Sequence, residues 1–244
     1  MRRIFLLFII VFSSAVVKAQ GDYNYMPSGV GFDISTIRGF TNVAKQNNTL
    51  AFGAYYSYYP SPYFPVTFEL QRGRLWGGSR VTDRYSREYV NNYFAALIHV
   101  DLQLGQVLDY EGNNFKNILK NLYFGAGGGF VHDNVQNQRY DLFSQGYPAG
   151  TYKFPGTDVS TDPDFNFRLG YEFKFYNQYD EPHLRLHIEY VHHVVFGEGL
   201  DGYNDPIQKF KNNSPDQYRQ ISIGLVYNFG LIRAFTKRIR NEWY

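Results

Sequence analysis

Every second residue of the stretch DFNFRLGYEFKFY (164–176) is apolar, from Phe165 to Phe175, while Arg168, Glu172 and Lys174 share the other side. A period of two belongs to a strand whose two faces meet different surroundings. The same period recurs along the chain. It runs through Val30, Phe32 and Ile34, then through Leu50, Phe52, Ala54, Tyr56 and Tyr58, then through Val66, Phe68 and Leu70. A longer run follows at Phe94, Ala96, Ile98, Val100, Leu102 and Leu104, and a glycine-rich one at Leu122, Phe124, Ala126 and Phe130. After 164–176 come Leu184, Leu186, Ile188 and Tyr190, then Ile221, Ile223, Leu225, Tyr227 and Phe229. The reading is eight strands, with no apolar helix to accompany them.

Short connections at 60–65, 110–121 and 177–182 alternate with mostly longer ones at 41–48, 77–90, 133–163 and 198–217. Such alternation is the habit of an up-and-down barrel, with tight turns at one end and long loops at the other. A soluble barrel would turn its apolar side inward. Here the polar sides carry small residues and sparse charges: Asp33, Glu69, His99 and Asp101, Arg168, Glu172 and Lys174, Arg185, His187 and Glu189. A narrow filled lumen needs that mixture, because it has little volume and requires its charges to be paired. The charges are therefore expected inside and the Phe and Leu side chains at lipid. Aromatic residues make up 19% of the chain, which suits strands and membrane interfaces.

The first residues, MRRIFLLFIIVFSSAVVKAQ, set Arg2 and Arg3 before an apolar run and close on Val17 and Ala19, the pattern of a secretory signal cleaved after Ala19. The run is shorter than the ~20 residues of a spanning helix. Removing Arg2, Arg3 and Lys18 leaves 21 basic against 22 acidic residues, so the precursor's formal +2 becomes −1. Nothing in that balance points to nucleic acid. With no cysteine there is neither a lipid-modified cysteine nor a disulfide. The expected organisation is a signal peptide over 1–19, a barrel domain over 20–230 and a basic amphipathic tail over 231–244, with both mature ends in the periplasm.

The last strand, QYRQISIGLVYNF, ends on Phe229. It is similar to the terminal-aromatic insertion signal of the small eight-stranded outer-membrane barrels of Gram-negative bacteria, and the chain resembles that OmpA/OmpX-like superfamily over nearly all its mature length. The resemblance implies an all-β antiparallel barrel in the outer membrane and Phe229 as the insertion signal. The chain departs from the pattern by continuing through GLIRAFTKRIRNEWY.

Candidate chemistry is thin. His132 and Asp133, and His192 and His193 with Glu198 beyond, lie at strand ends, and Ser144 is the serine closest to them in sequence. A lipid hydrolase would bring Ser, His and a carboxylate within hydrogen-bond reach. Glu198, Asp201 and Asp205 offer oxygen ligands for calcium without the spacing of a calcium loop. The run GAGGG (125–129) lacks the Lys and helix start of a phosphate cradle, and fits a crowded inner wall instead. Phe115, Ile118, Leu119 and Leu122, and likewise Ile232, Phe235 and Ile239 in the basic tail, have the spacing of amphipathic turns at a membrane interface.

The function expected is non-enzymatic: envelope structure, adhesion or partner binding through the outer loops. Expected contacts are outer-membrane lipid and another envelope protein, with no cofactor, metal or nucleic acid. A narrow pore, a lipid-modifying enzyme and a soluble secreted β protein are the alternatives. One finer expectation concerns register between the sixth and seventh strands. Opposite charges should face each other, Arg168 to Glu189 and Glu172 to Arg185, with Lys174 facing only His183, Phe173 facing Leu184 and Leu169 facing Ile188.

Overall fold

The computed structural model describes residues 22–83, 85–110, 112–137, 140–141, 152–204 and 215–236. The expected signal peptide, Ser144, Asp205 and the tail beyond 236 lie outside them. Eight strands form one closed barrel: β1 (Ser28–Phe40), β2 (Thr49–Ser61), β3 (Phe64–Gly78), β4 (Glu88–Gln103), β5 (Leu122–Asn137), β6 (Val159–Tyr176), β7 (Pro182–Val195) and β8 (Asp216–Phe229). Each pairs antiparallel with its neighbours in sequence, and β8 closes the circle on β1. Closure removes every free sheet edge, the condition for spanning a bilayer with strands.

Burial follows the alternation with inverted polarity. Phe32 (60% exposed), Phe52, Ile98, Phe130 and Ile223 stand outside, while Asp33, Glu69, Arg168, Glu189 and the fully buried Arg185 point inward. An apolar outside and a polar inside make this a barrel built for lipid. Tyr56 lies in one row with Val30 and Tyr227, and Tyr58 in the next with Ser28 and Phe229. These aromatics gather at the end that carries the short turns and both described chain ends, called here the turn end. The opposite end is the loop end.

Inward glycines make room for large neighbours. A Cβ on Gly31 would strike the ring of Tyr55, one on Gly170 the ring of Tyr123, and one on Gly129 the backbone of Ala96 and Leu97. The GAGGG run is thus inner wall at Gly125, Gly127 and Gly129.

The structure differs from the sequence reading in four places. First, β6 and β7 take another register: Lys174 is opposite Arg185, Glu172 opposite His187, Arg168 opposite Val191 and Glu189 opposite Gly170. On the outside, Phe173 meets Leu186 and Leu169 meets Tyr190. The pairing rule assumes that a charge is satisfied by the residue facing it. In a narrow lumen the side chains instead reach diagonally and across, so opposition on the wall does not decide the energy. Second, the strands run further than expected at the loop end, because β5 continues to Asn137 and β6 begins at Val159. There the pattern inverts, with Asn134 and Gln136 outside and Val131 and Val135 inside, so the apolar period gives no outward signal. Third, Arg233–Thr236 is extended and pairs with Asp22–Tyr25 as a two-stranded ribbon, where the spacing of Ile232 and Phe235 suggested helical turns. Its backbone groups find partners in the other chain end. Fourth, the inside is not polar throughout. Ile37, Leu75, Tyr89, Val131, Val135, Val195 and Leu200 form an apolar cluster toward the loop end.

The turn-end helix does form, as α1 (Asn114–Leu119), capped by the Asn113 side chain accepting from the N–H groups of Phe115 and Lys116. Phe115 and Ile118 are exposed, and the hydroxyl of Tyr171 on the outer wall donates to the Ile118 carbonyl at 2.8 Å.

Candidate functional site

The polar groups of the interior fall into layers, and the layer nearest the turn end is centred on Glu172. Its carboxylate meets Arg185 at 2.8 Å and Lys174 at 3.6 Å, and accepts from Gln103 at 3.0 Å. Arg185 also donates to the Asn228 side chain and lies over the Tyr59 ring at 4.2 Å. Lys174 donates to Gln103 at 2.7 Å and lies over the Tyr63 ring at 4.2 Å. Diagonal reach and aromatic faces therefore let Lys174 and Arg185 share one wall position without a carboxylate each.

The middle layer is centred on Arg168. It bridges Glu69 on β3 and Glu189 on β7, the latter at 3.1 Å, so one guanidinium ties three strands together across the lumen. Tyr123 and Ser222 donate to Glu189 at 3.0 and 3.1 Å. His99 lies 3.1 Å from Asp101 and 3.7 Å from Glu69. Asp33 accepts from Gln220 through one oxygen, and its other oxygen has no partner among the described residues. His187 packs beside Tyr55, with ring centroids 5.6 Å apart. The structure thus brings Asp33, Glu69, Asp101, Arg168, His187 and Glu189 to the lining of one small cavity that Glu172 also borders. Lys174 and Arg185 lie in the layer beside it. Phe229 stands apart on the outside at the turn end.

Above the cavity, His193 is stacked on Tyr218 at 4.0 Å and lies 2.7 Å from Asp164. Its other ring nitrogen faces the Gln220 side-chain oxygen at 3.3 Å, where a hydrolase would hold its nucleophile. Strand alternation separates the remaining pairs of the sequence reading. His132 is outside, 2.8 Å from the Thr161 hydroxyl, while Asp133 is inside; His192 is outside, while His193 is inside. Among the described residues no group of three His, Asp or Glu side chains is arranged to hold a metal ion.

The two mouths are closed differently. At the turn end Tyr63 is buried against Tyr110 and against Phe235 of the ribbon, while Tyr25 donates to the Pro60 carbonyl. At the loop end the segment after β7 folds back into the barrel, burying Leu200, Asp201 and Tyr203 completely. Asp201 accepts from the N–H groups of Asn42 and Tyr203 at 2.8 and 2.9 Å, and Asn91 donates to the Leu200 carbonyl. Burial pushes the Asp201 carboxyl up to about 6, against the lowering effect of those two N–H groups. Asp133 and Asp216 are buried nearby, and neither Asp216 oxygen has a partner among the described residues. Sequence reasoning missed this plug, because a Gly-rich polar stretch reads as solvated loop. The signal was the apolar pair Leu200 and Tyr203 inside it.

A closed eight-stranded antiparallel barrel, apolar outside and polar inside, has the architecture of the small outer-membrane β-barrels. No protein-family model matches the chain, and no curated protein matches its sequence. Similar solved structures include Ail, the attachment invasion locus protein of Yersinia pestis, at 10% identity and a TM-score of 0.45, covering 84% of this chain and 99% of that one. OprG from Pseudomonas aeruginosa stands at 11% and 0.40, covering 86% and 99%, and the outer membrane enzyme PagL at 12% and 0.28, covering 81% and 99%. These likenesses concern architecture and single out no role.

Proposed function

We propose that the protein is a non-enzymatic barrel of the bacterial outer membrane that works through its loop-end surface, in adhesion, envelope structure or the binding of another envelope protein, and does not conduct. The closed interior carries this reading. Arg168 bridges the lumen, Tyr63 and Phe235 cover one mouth, and Leu200 and Tyr203 fill the other. Eight strands enclose a space just wide enough for side chains. The same reading takes 1–19 as a signal peptide, sets the turn end in the periplasm and uses Phe229 as the insertion signal. Purified protein in planar bilayers is expected to give no sustained conductance, and a steady single-channel current would favour the pore. A cysteine at Ser79, in the connection between β3 and β4, is expected to label in intact cells with an impermeant reagent, while one at Ser61 is not. The reverse pattern would invert the orientation.

A further inference from the structure

The outer wall carries an unexplained row of cations. Among the described residues, the outward positions of the eight strands hold four arginines, Arg38, Arg72, Arg74 and Arg219, all toward the loop end. The one outward carboxylate at those positions, among the described residues, is Glu88, which is held by Arg80 at 3.7 Å. Arg38 and Arg219 are directly opposite each other on β1 and β8, and His192 on β7 continues the row. Like charges facing each other across a strand pair oppose the pairing. No ion pair relieves these two among the described residues, and the Arg38 Nε is buried without a hydrogen-bond partner. Phe40 closes one side of the row, lying 6.0 Å from the Arg219 guanidinium and 6.2 Å from the His192 ring. The His192 Nε2 faces the Gln217 side-chain oxygen at 3.1 Å.

Directly below, toward the middle of the barrel, the same three strands present only Thr36, Ile221 and Tyr190, then Ile34, Ile223 and Ile188, then Phe32, Leu225 and Leu186. A strip suited to acyl chains therefore runs up to a paired guanidinium site. Guanidinium groups recognise phosphate by parallel charge-assisted hydrogen bonds, and an anion between Arg38 and Arg219 turns their repulsion into a shared attraction. A soluble anion would use the arginines and leave the strip idle.

We infer that the Arg38–Arg219–His192 row binds the phosphate of a phosphorylated lipid in the leaflet at the loop end, with the lipid's acyl chains along the Ile34, Ile221 and Ile223 strip. The inference rests on the membrane-barrel reading and adds a lipid class to it. Arg72 and Arg74, on a separate strand, are outside this site and serve as the control.

The test uses the full chain inserted in nanodiscs of dioleoyl phosphatidylcholine, with and without dioleoyl phosphatidic acid. Lipid retained by the protein on release is read by native mass spectrometry, and the unfolding midpoint by circular dichroism. The parent is expected to retain phosphatidic acid over phosphatidylcholine, with a raised midpoint. Arg38→Gln with Arg219→Gln is expected to lower that preference by about tenfold or more, since charge-assisted bonds of this kind are lost. In phosphatidylcholine alone the double variant's midpoint should equal or exceed the parent's, because like charges have been removed. Arg72→Gln with Arg74→Gln should keep the parent's preference. If the double variant does not fold, Arg219→Lys keeps the charge without the planar fork and should show a reduced preference. An unchanged preference in the double variant or in Arg219→Lys would overturn the inference, as would inorganic phosphate displacing the lipid from the parent at equal concentration. Failure of the parent to insert into phosphatidylcholine would count against the membrane reading; insertion without preference counts against this inference alone.

Discussion

Toward the turn end, Glu69, Glu172 and Glu189 each meet an arginine, and Gln103 donates to Glu172 while Tyr123 and Ser222 donate to Glu189. At the loop end Asp133, Asp201 and Asp216 are just as buried, but they lie among Leu200, Tyr203, Val131 and Val135. Asp201 is held by backbone N–H groups, and Asp216 has no partner among the described residues. One wall, with one alternation, thus supports two kinds of interior. The lower is an ionic network that needs both signs of charge. The upper is an apolar plug that tolerates carboxylates at a cost. Breaking a buried pair strands its partner, whereas neutralising a lone buried acid relieves it.

The largest effect that would break this comparison is Arg168→Met. It leaves Glu69 and Glu189 buried without their cation, and a loss of ~3–5 kcal/mol is expected in equilibrium unfolding from detergent. A loss under about 1 kcal/mol would mean that the lower network is not ionic in its energetics. Next comes Gly129→Ala, whose Cβ meets the backbone of Ala96 and Leu97 and should cost ~1–3 kcal/mol. Gly125→Ala meets the end of the Asp101 side chain first and should cost less. The same denaturation series ranks the two. Smaller and opposite in sign, Asp216→Asn should stabilise the barrel by about 1 kcal/mol at neutral pH, since it removes a buried acid that has no partner among the described residues. Destabilisation there would reveal a cation held at the loop mouth.

The smallest effect is one of pH. The Asp201 carboxyl is raised to about 6 by burial, above its value in the unfolded chain. Its contribution to holding the plug is full below about pH 4 and is lost as the pH rises through 6. Hydrogen-exchange protection at 196–204, taken relative to the intrinsic exchange rate at each pH, should therefore fall over that interval, and Asp201→Asn should flatten the change. Protection that rises instead would show that the ionised form is the better acceptor for Asn42 and Tyr203.

Away from the loop end the strands were legible in the period, and the small and charged residues on their polar side told which side is inward, which is why Asp33, Glu69, Arg168 and Glu189 were expected inside and are found there. Register between β6 and β7 was not legible. Arg168 finds Glu69 on a strand that is not its neighbour, so no rule about adjacent pairs contains that bond. The plug was hidden for a related reason, since Leu200 and Tyr203 are held by Asn91, Asn42 and Phe154, all distant in sequence.

The ribbon of Asp22–Tyr25 with Arg233–Thr236 has a consequence for how the molecule comes into being. Its two strands precede β1 and follow β8, so the ribbon forms only after every strand of the barrel has been synthesised. It lies at the turn-end mouth as a latch on the circle, with Phe235 against Tyr63. Because Asp22–Tyr25 and Arg233–Thr236 already lie side by side, a short peptide joining these two segments, with the chain reopened between β3 and β4, would leave every strand pair of the barrel intact.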